Sequence, residues 1–201
     1  MTGSLSIALV AALLAAAYLL GSIPTGLLLG KACGIDVRTR GSGNIGATNL
    51  YRTVGRRVGV LTLIGDCLKG MLPVLAVRHF FPAGGDLAAW VGLAAFCGHV
   101  FSVFLSFRGG KGVATALGVF LALTPRAVVV ALAVFLLLTV IWRYVSLGSI
   151  CAAAVMPPAV WWLGGGRVIL VVTLLISAVV IIRHAENITR LVAGTENRFK
   201  T

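Results

Sequence analysis

The chain has 201 residues, of which 59% are hydrophobic and 11% charged, whereas an average soluble domain carries about 25% charged residues. This composition excludes an ordinary soluble globular protein, because most of the surface must face something other than water. The net charge of +12, from 17 Lys and Arg against 5 Asp and Glu, is typical of the positive-inside bias of membrane proteins and also suits an anionic substrate or lipid surface. No nucleic acid partner is expected, because the basic residues lie in short loops and form no continuous basic face.

Seven apolar stretches predict an all-α fold, a polytopic membrane helix bundle of about seven transmembrane helices in a single domain, 1–201. They cover residues 4–29, 58–81, 87–107, 112–124, 126–142, 147–163 and 168–183. No Lys or Arg precedes the first stretch, so we expect a retained first span and not a cleaved signal peptide. The fourth stretch is shorter than the roughly 20 residues that a span needs. A five-span alternative therefore stands beside the seven that we favour, with 112–142 as one hairpin or interrupted helix.

The Lys and Arg residues separate between the two sides of the membrane if all seven stretches cross it. One side holds Lys31, Arg38, Arg40, Arg52, Arg56, Arg57, Arg108, Lys111, Arg143, Arg183, Arg190, Arg198 and Lys200. The other side holds only Arg78, Arg126 and Arg167, and Lys69 lies within a span. Because Lys and Arg resist translocation, the N-terminus is predicted outside and the C-terminus in the cytoplasm. The glycine-rich segments lie on the same side as the thirteen basic residues: they are 41–46, 109–112, a turn around Ser146–Ser149 and the tail from Arg183. We therefore expect the chemistry at the cytoplasmic face.

The first glycine-rich segment occupies residues 31–57 and contains the sequence GSGNIG at 41–46. Glycines tolerate positive φ and allow backbone N–H groups to converge, which favours an anion site before a helix that starts near Thr48–Asn49. Ser42 supplies a hydroxyl and Arg52 a forked guanidinium, both suited to phosphate. The structural alternative is a flexible turn with solvated arginines.

The second glycine-rich segment, FRGGKGVATALG, runs from Phe107 to Gly118. Lys111 lies between glycines just before an apolar stretch, where its ammonium group can meet a phosphate as a point charge. The segment fails the nucleotide-binding P-loop pattern, because Gly112 stands where that pattern needs Ser or Thr. A plain glycine-rich membrane turn is the alternative.

Several polar residues fall within or beside the apolar stretches. Asp66 and Lys69 are three residues apart and so share one helical face; they either pair with each other, or Asp66 braces a basic loop from beneath. His99 is either a buried structural histidine or a residue next to a site, and His79 is expected at the membrane interface. The four cysteines have no metal-ligand or disulfide spacing, and we expect small, reduced, mostly buried residues: Cys33, Cys67, Cys97 and Cys151.

The C-terminal tail, RHAENITRLVAGTENR, follows the last apolar stretch and predicts a helix along the cytoplasmic face. His184 and Asn187 are three residues apart, so they can point at one ligand from the same side. Glu186 and Arg190 are four apart, and Gly194 is expected to end the helix. The alternative is a juxtamembrane helix whose polar face simply meets water.

Six segments in chain order resemble the bacterial acyl-phosphate:glycerol-3-phosphate acyltransferases, the PlsY-like family, and the resemblance covers nearly the whole chain. They are GSIPTGLLLGK at 21–31, GSGNIGATNLYRTVG at 41–55, GDCLKG at 65–70, GHVFSVFLSFRGGKGVAT at 98–115, RYVSLGS at 143–149 and HAENITRL at 184–191. Ser102 departs from the family pattern, where proline is expected, and we expect this to change only the local stiffness of the backbone.

The resemblance implies transfer of a fatty acyl group from acyl phosphate to sn-glycerol 3-phosphate, giving 1-acyl-glycerol 3-phosphate and inorganic phosphate, with no cofactor and no metal. By motif position, the catalytic and glycerol-phosphate residues are Ser42, Arg52, Lys111, His184 and Asn187. The acyl-phosphate cradle is expected at Gly43, Asn44, Thr48, Asn49, Gly109, Gly110, Gly112 and Ser149. The proton of the glycerol hydroxyl goes either to His184 or to a phosphate oxygen of the donor, and the resemblance favours the second.

The same resemblance implies a multi-pass protein of the bacterial inner membrane with its active site at the cytoplasmic face. Its expected partners are the two small-molecule substrates, the lipid bilayer and an enzyme that produces acyl phosphate and hands it over. Two other classes stay open: a small transporter, although no half-to-half similarity is visible, and a metal-dependent phosphatidyl-alcohol transferase, which needs several aspartates within spans, where only Asp66 is found.

Overall fold

The computed structural model describes residues 5–82 and 85–199. The chain forms two compact units, Met1–Leu123 and Thr124–Thr201, and in the described residues both are built from helices. Lys200, which we assign to the cytoplasmic side, lies outside the described residues, as does residue 4, where the first apolar stretch begins. The single 1–201 domain stays a prediction.

The first unit contains six α-helices and two short 3-10 helices in its described residues. The α-helices are α1 (Ile7–Ser22), α2 (Thr25–Ala32), α3 (Ala47–Thr53), α4 (Arg56–Phe80), α5 (Gly85–Val100) and α6 (Val113–Leu123). The 3-10 helices are Val37–Thr39 and Val103–Leu105. Helix α4 packs against α3, α5 and α6, and α1 packs against α5. Helix α4 is therefore the central helix of this unit.

The second unit contains four α-helices in its described residues. They are α7 (Pro125–Trp142), α8 (Val145–Trp162), α9 (Arg167–Ile182) and α10 (Ala185–Val192). Helix α8 packs against α7, α9 and α10. Ser146 and Ser149 lie in the first turns of α8, so our description of that segment as a turn is wrong. The reversal comes earlier, at Arg143, which caps α7 with a left-handed φ of 61°.

The predicted first span is divided in two by proline. Helix α1 ends at Ser22 and α2 begins at Thr25, with Ile23 and Pro24 between them. Proline fixes its own φ and disfavours the helical conformation of the residue before it, so the helix ends at this point. The break places the Ile23 carbonyl at the end of α1, where Lys69 of α4 donates a hydrogen bond to it at 2.7 Å.

Close helix packing in the first unit depends on glycine. A Cβ atom at Gly70 would collide with the Thr115 carbonyl of α6, and one at Gly118 would collide with the Cys67 carbonyl of α4. The two backbones therefore touch through small residues, as is common in membrane helix pairs, where no hydrophobic effect drives helices together. This contact places the start of α6, and with it the 109–112 loop, against α4.

Five helical segments of the described chain are long and apolar enough to cross a membrane, with α1 and α2 taken as one, and six if α9 and α10 form one bent span. Helix α6, with 11 residues, is shorter than the roughly 20 residues that a span needs. Many large apolar side chains are exposed, among them Leu61, Val140 and Trp162, which is expected where lipid replaces water. The seven spans and the orientation of the termini stay predictions.

The cysteines are less buried than expected. Cys33 is exposed and the other three are partly buried, and all four are free thiols in the described residues. The expectation of mostly buried cysteines is therefore wrong, because Cys33 caps the exposed end of α2 and the other three lie at partly exposed helix positions.

Candidate active site

Asn49 organises the first glycine-rich loop. Its buried amide donates hydrogen bonds to the carbonyls of Val37 (3.1 Å), Arg40 (3.1 Å) and Asn44 (2.8 Å), and its Oδ1 accepts the Ser42 N–H at 3.0 Å. One side chain thus folds residues 37–44 around itself. The proposed contact between Asn49 and an acyl phosphate stays a prediction, and the structure adds a positioning role.

Glycine is required at two turns of this loop. Gly41 and Gly43 have φ values of 57° and 69°, in the left-handed region that L-residues with a side chain rarely adopt. The predicted positive φ is confirmed at both positions. The predicted helix also follows, since α3 begins at Ala47, one residue before the expected start.

Several backbone N–H groups of this loop donate hydrogen bonds to acceptors within the same segment. The Gly43 N–H donates to the Arg40 carbonyl at 2.9 Å, and the Gly46 N–H donates to Asn44 Oδ1 at 2.8 Å, in addition to the Ser42 N–H held by Asn49. Ser42 and Arg52, in contrast, have exposed side chains. The loop therefore exposes side chains more than it exposes a nest of backbone N–H groups.

An apolar cluster anchors the loop from below. It consists of Leu27, Val37, Ile45 and Leu50, all nearly inaccessible to solvent. These residues come from α2, the first 3-10 helix, the loop itself and α3. Burial of such side chains stabilises a fold by about 1.5–3 kcal/mol each, which explains how a loop so rich in glycine holds one conformation.

The second glycine-rich loop is pinned to the end of α5. The Gly109 N–H donates to the Val100 carbonyl at 3.0 Å, and the Gly110 N–H donates to the His99 carbonyl at 3.2 Å. Gly112 has a φ of 82°, and a Cβ there would collide with the Phe96 ring. Lys111, between Gly110 and Gly112 and partly exposed, lies two residues before the first residue of α6, Val113, close to the helix start as predicted.

Asp66, Lys69 and His99 form a buried cluster of ionisable side chains beneath this second loop. Lys69 Nζ lies 2.8 Å from Asp66 Oδ1, and His99 Nδ1 lies 3.7 Å from the same oxygen. The three side chains are 5% exposed or less. The predicted Asp66–Lys69 pairing is confirmed, and His99 proves to be both buried and adjacent to the loop.

A basic surface cavity of about 410 Å³ lies beside the two loops of the first unit, lined by Arg38, Leu105, Ser106 and Arg108. Arg38 forms an ion pair of 2.6 Å with Asp36. Hydrogen bonds from the Arg38 side chain and then its backbone N–H lower the pKa of Asp36 to about 2, so this carboxylate is charged at any physiological pH. Two arginines therefore line one opening, and the side chain of Arg38 is held by a carboxylate.

Ser102 has a larger role than the expected change in backbone stiffness. Its hydroxyl is buried and donates to the Ser22 carbonyl at 2.6 Å, so it ties the loop after α5 to the end of α1. The expectation that serine changes only backbone stiffness is wrong, because proline has no hydroxyl and could not make this hydrogen bond.

In the second unit, His184 occupies the N-cap position of α10. Its side chain is buried, and Nδ1 lies 2.8 Å from the Val180 carbonyl oxygen. A carbonyl can only accept, so Nδ1 carries the proton, and the neutral ring then has its lone pair on Nε2. This tautomer is the one that can accept a hydrogen bond, or a proton, from a hydroxyl group.

Asn187 is held by a glutamate that the sequence did not single out. Glu196 Oε1 accepts from Asn187 Nδ2 at 2.7 Å and from the Ser146 hydroxyl at 2.9 Å, and Oε2 accepts from Arg190 Nε at 2.8 Å. Arg190 also contacts Glu186, as the spacing suggests, but at 3.8 Å. We call Asn187, Arg190, Glu196 and Ser146 the Glu196 clasp.

Two opposing influences act on the Glu196 carboxyl. Burial raises its pKa, but the hydrogen bonds from Arg190, Asn187 and Ser146 outweigh burial and lower the pKa below its ordinary value. Glu196 is therefore ionised at neutral pH and fixes the amide orientation of Asn187, with its NH₂ group toward the carboxylate. The sequence carries one signal for this contact, Gly194, which can end a helix and reverse the chain. In the structure its φ is 70°, and the tail turns back toward α10.

Ser149 is buried in α8, and its hydroxyl donates to the Val145 carbonyl at 2.8 Å, which leaves its oxygen as an acceptor. Within the units, the structure brings Ser42 to Asn49 and links Asn187 to Glu196. The proposed substrate contacts of the individual residues stay predictions.

Comparison with known proteins shows similarity along nearly the whole chain. Residues 11–194 match the family model described as glycerol-3-phosphate acyltransferase. A glycerol-3-phosphate acyltransferase of Trichlorobacter lovleyi is 69% identical over 93% of this chain and 96% of its own length, and one of Geobacter sulfurreducens is 58% identical over 94% and 96%.

Two solved structures are also similar. Both are crystal structures of PlsY (YgiH), an integral membrane glycerol 3-phosphate acyltransferase, one in its glycerol 3-phosphate form and one in its lysophosphatidic acid form. Their TM-scores are 0.91 and 0.88, with 42% identity and coverage of 96% of each chain.

Proposed function

This chain belongs to the glycerol-3-phosphate acyltransferase family and is a multi-pass membrane enzyme, and on that premise we propose that its acyl donor is a fatty acyl phosphate. The acceptor is the 1-hydroxyl of sn-glycerol 3-phosphate, and the products are 1-acyl-glycerol 3-phosphate and inorganic phosphate. The observation that carries the proposal is the presence of two glycine-rich loops in the first unit, each with its own cation, Arg52 in one and Lys111 in the other. Two loops of this kind suit a reaction in which both substrates carry phosphate.

The atoms balance without a further reactant. The glycerol oxygen forms a bond to the acyl carbon, and the bond between that carbon and the phosphate oxygen breaks. The hydroxyl proton ends on the released phosphate, which leaves as hydrogen phosphate. Because the donor is a mixed anhydride and already activated, the protein mainly has to position two anions and one hydroxyl group.

The cations of the first unit perform the electrostatic part of this task. Arg52 offers two parallel N–H donors, and Lys111 offers a compact charge. Ser42 adds a hydroxyl donor. We propose that Ser42, Arg52 and Lys111 bind phosphate oxygens, which lowers the repulsion between the two anionic substrates. The glycine positions 43, 109, 110 and 112, with Asn44, Thr48 and Ser149, are proposed to contact the acyl phosphate.

His184 and Asn187 perform the orienting part. With Nδ1–H held by the Val180 carbonyl, His184 can accept the hydroxyl hydrogen on Nε2 and direct the oxygen lone pair to the acyl carbon. Asn187 Nδ2 is directed to Glu196, which turns the side-chain oxygen of Asn187 away from that carboxylate, and we propose that this oxygen accepts a hydrogen bond from a substrate hydroxyl. In this mechanism a donor phosphate oxygen is the final proton acceptor.

The test is turnover by the purified protein with palmitoyl phosphate and glycerol 3-phosphate, with lysophosphatidic acid and phosphate as the measured products. Palmitoyl-CoA and acyl carrier protein thioester are run as alternative donors, and a chelator is added in a parallel set. We expect equal release of both products with palmitoyl phosphate alone, unaffected by chelator. Turnover with a thioester and none with palmitoyl phosphate would disprove the donor.

Alanine variants test the proposed roles of individual residues. Arg52→Ala, Lys111→Ala and His184→Ala are each expected to lower kcat/KM by about a hundredfold or more, the range for loss of one preorganised charge or one positioned proton-transfer group. Arg57→Ala is the matched control, since it removes an exposed arginine from the first turn of α4. An equal loss in Arg57→Ala would mean that general basicity, and not these positions, supports activity.

We further propose that the membrane is the bacterial inner membrane, with the loops in the cytoplasm. The support is the distribution of thirteen basic residues against three. Exposed Cys33 gives a test, in a chain whose other cysteines are alanine. A membrane-impermeant maleimide should label Cys33 in inside-out vesicles only. In a second chain, with Arg126→Cys as its single cysteine, the same reagent should label position 126 in intact spheroplasts only, because Arg126 is exposed. The reverse pattern would invert the orientation.

A further inference from the structure

We propose that His99 is a positioning residue for the reaction: the Asp66–Lys69 ion pair holds it in place, and it fixes the backbone of Gly109–Lys111. The inference rests on the proposed function in one respect, since Lys111 is there assigned to phosphate. It adds three residues that bind no substrate and act through the loop.

The ion pair gives the cluster a fixed base. Lys69 Nζ is held between Asp66 Oδ1 at 2.8 Å and the Ile23 carbonyl at 2.7 Å. Ile23 lies at the C-terminal end of α1, where the helix dipole attracts a cation. The Lys69 ammonium therefore joins α1 to α4 and fixes the side chain of Asp66, with little water present to compete.

Asp66 in turn orients the imidazole of His99. The 3.7 Å between Nδ1 and Oδ1 is longer than a direct hydrogen bond, but at this distance a buried carboxylate attracts an N–H or a positive ring strongly. The Nδ1 edge of the ring thus faces α4. Its opposite edge, with Nε2, faces the loop.

His99 contacts the loop through both its backbone and its ring. Its carbonyl accepts the Gly110 N–H at 3.2 Å. A Cβ atom at Gly110 would collide with His99 Nε2, and the φ of Gly110 lies outside the left-handed region. Glycine is therefore needed at position 110 because the ring is so close, and not because of the backbone conformation.

The position of Lys111 follows from these contacts. Gly109 and Gly110 are fixed on Val100 and His99, and Lys111 is the next residue, before α6 begins at Val113. If the ring were absent, the loop would have space to sink toward α4. A displacement of about 1 Å in a positioning group can change a rate or an affinity by as much as a hundredfold.

The first test compares KM values for both substrates in His99→Ala, Asp66→Asn and Lys111→Ala. KM does not depend on how many molecules are folded, so a purely structural role would lower only the apparent kcat. We expect His99→Ala and Asp66→Asn to raise KM by about tenfold, and for the same substrate as Lys111→Ala. His99→Gln, whose amide nitrogen reaches the position of Nε2, should recover most of the loss, and His79→Ala is the matched control because His79 is exposed.

The second test needs no turnover. Hydrogen exchange is measured for the peptide that contains residues 107–112, in the wild type and in the same variants. Faster exchange of the Gly109 and Gly110 amides in His99→Ala and Asp66→Asn, with no change in the 41–46 loop, supports the proposal. Unchanged exchange in both variants overturns it.

The two kinds of failure are distinguishable. If the wild type does not use acyl phosphate, the proposed donor fails, and hydrogen exchange still decides the role of His99. If the wild type is active and both variants keep normal KM values while Lys111→Ala does not, the role of His99 is disproved and the donor stands.

Discussion

Each unit of the molecule holds polar side chains through a carboxylate, but the two carboxylates lie in different surroundings. Asp66 is buried in helix α4 and balances one cation, Lys69, from the same helix. Glu196 lies in the tail after α10 and accepts from Asn187, Arg190 and Ser146, with Arg190 one-third exposed. The first depends on charge neutralisation, and the second depends on the number of hydrogen bonds.

The difference predicts different responses to substitution. Removing one partner of a fully buried ion pair leaves a charge with neither water nor a counter-ion. Removing the glutamate from the Glu196 clasp leaves donors that water can reach in part. We therefore expect disruption of the carboxylate's contacts to lower mainly the stability in the first unit and mainly the activity in the second.

The largest effect is expected for Lys69→Met, which leaves the Asp66 carboxylate buried without a cation. We expect a loss of about 3–5 kcal/mol in unfolding free energy, measured by thermal or denaturant unfolding in detergent. Adding Asp66→Asn should recover much of the loss, because the uncompensated charge disappears. Equal destabilisation in the single and the double variant would contradict the account.

Glu196→Ala comes next, with about 1–3 kcal/mol lost in stability from the three donors it leaves. We expect kcat/KM to fall by tenfold or more, since Asn187 loses the group that fixes its amide; each tenfold corresponds to about 1.4 kcal/mol. Glu196→Gln should lie between alanine and the wild type. Glu186→Ala is the control, because Glu186 is 90% exposed, and an equal loss there would remove the distinction.

The Glu196 clasp also has a predictable pH dependence. The folded-state pKa of Glu196 lies below its ordinary value of 4.5, so its contribution to stability is complete above that pH and is lost as the pH falls through the lower folded value. Unfolding measured between pH 7 and pH 3 should show this loss in the wild type and not in Glu196→Gln. A loss that begins well above pH 5 would point to another group.

Ser102→Ala should have the smallest effect and serves as the uncharged reference. It removes one buried hydrogen bond, to the Ser22 carbonyl, and should cost about 1 kcal/mol. The measurement is again unfolding in detergent, with KM unchanged for both substrates. A loss as large as that of Lys69→Met would show that charge is not what separates the two clusters.

Local spacing allowed some of these features to be predicted. The Asp66–Lys69 pair follows from a separation of three residues on a helix. The start of α3 follows from a glycine-rich stretch that passes into helix-forming residues, and the end of α10 follows from Gly194. Each depends on a few neighbouring residues, whose geometry a helix fixes in advance.

Features that join distant residues could not be predicted in this way. The Glu196 clasp joins residues 50 apart, Ser146 and Glu196, and needs both the reversal at Gly194 and the packing of α10 on α8. Asn49 could be named as a polar loop residue, but its hydrogen bonds to residues 37–44 require the folded loop. Ser102 and its partner Ser22 are 80 residues apart.

The sequence by itself determined the membrane class, the approximate positions of the long apolar helices and the two cation-bearing glycine loops, because composition, apolar length and glycine conformation are local properties. Only the tertiary structure decided which polar groups hold those loops and the tail in place. The physical reason is that a buried polar group is stable only beside a specific partner, and packing brings some of these partners from far along the chain, as it brings Ser146 to Glu196 and Ser22 to Ser102.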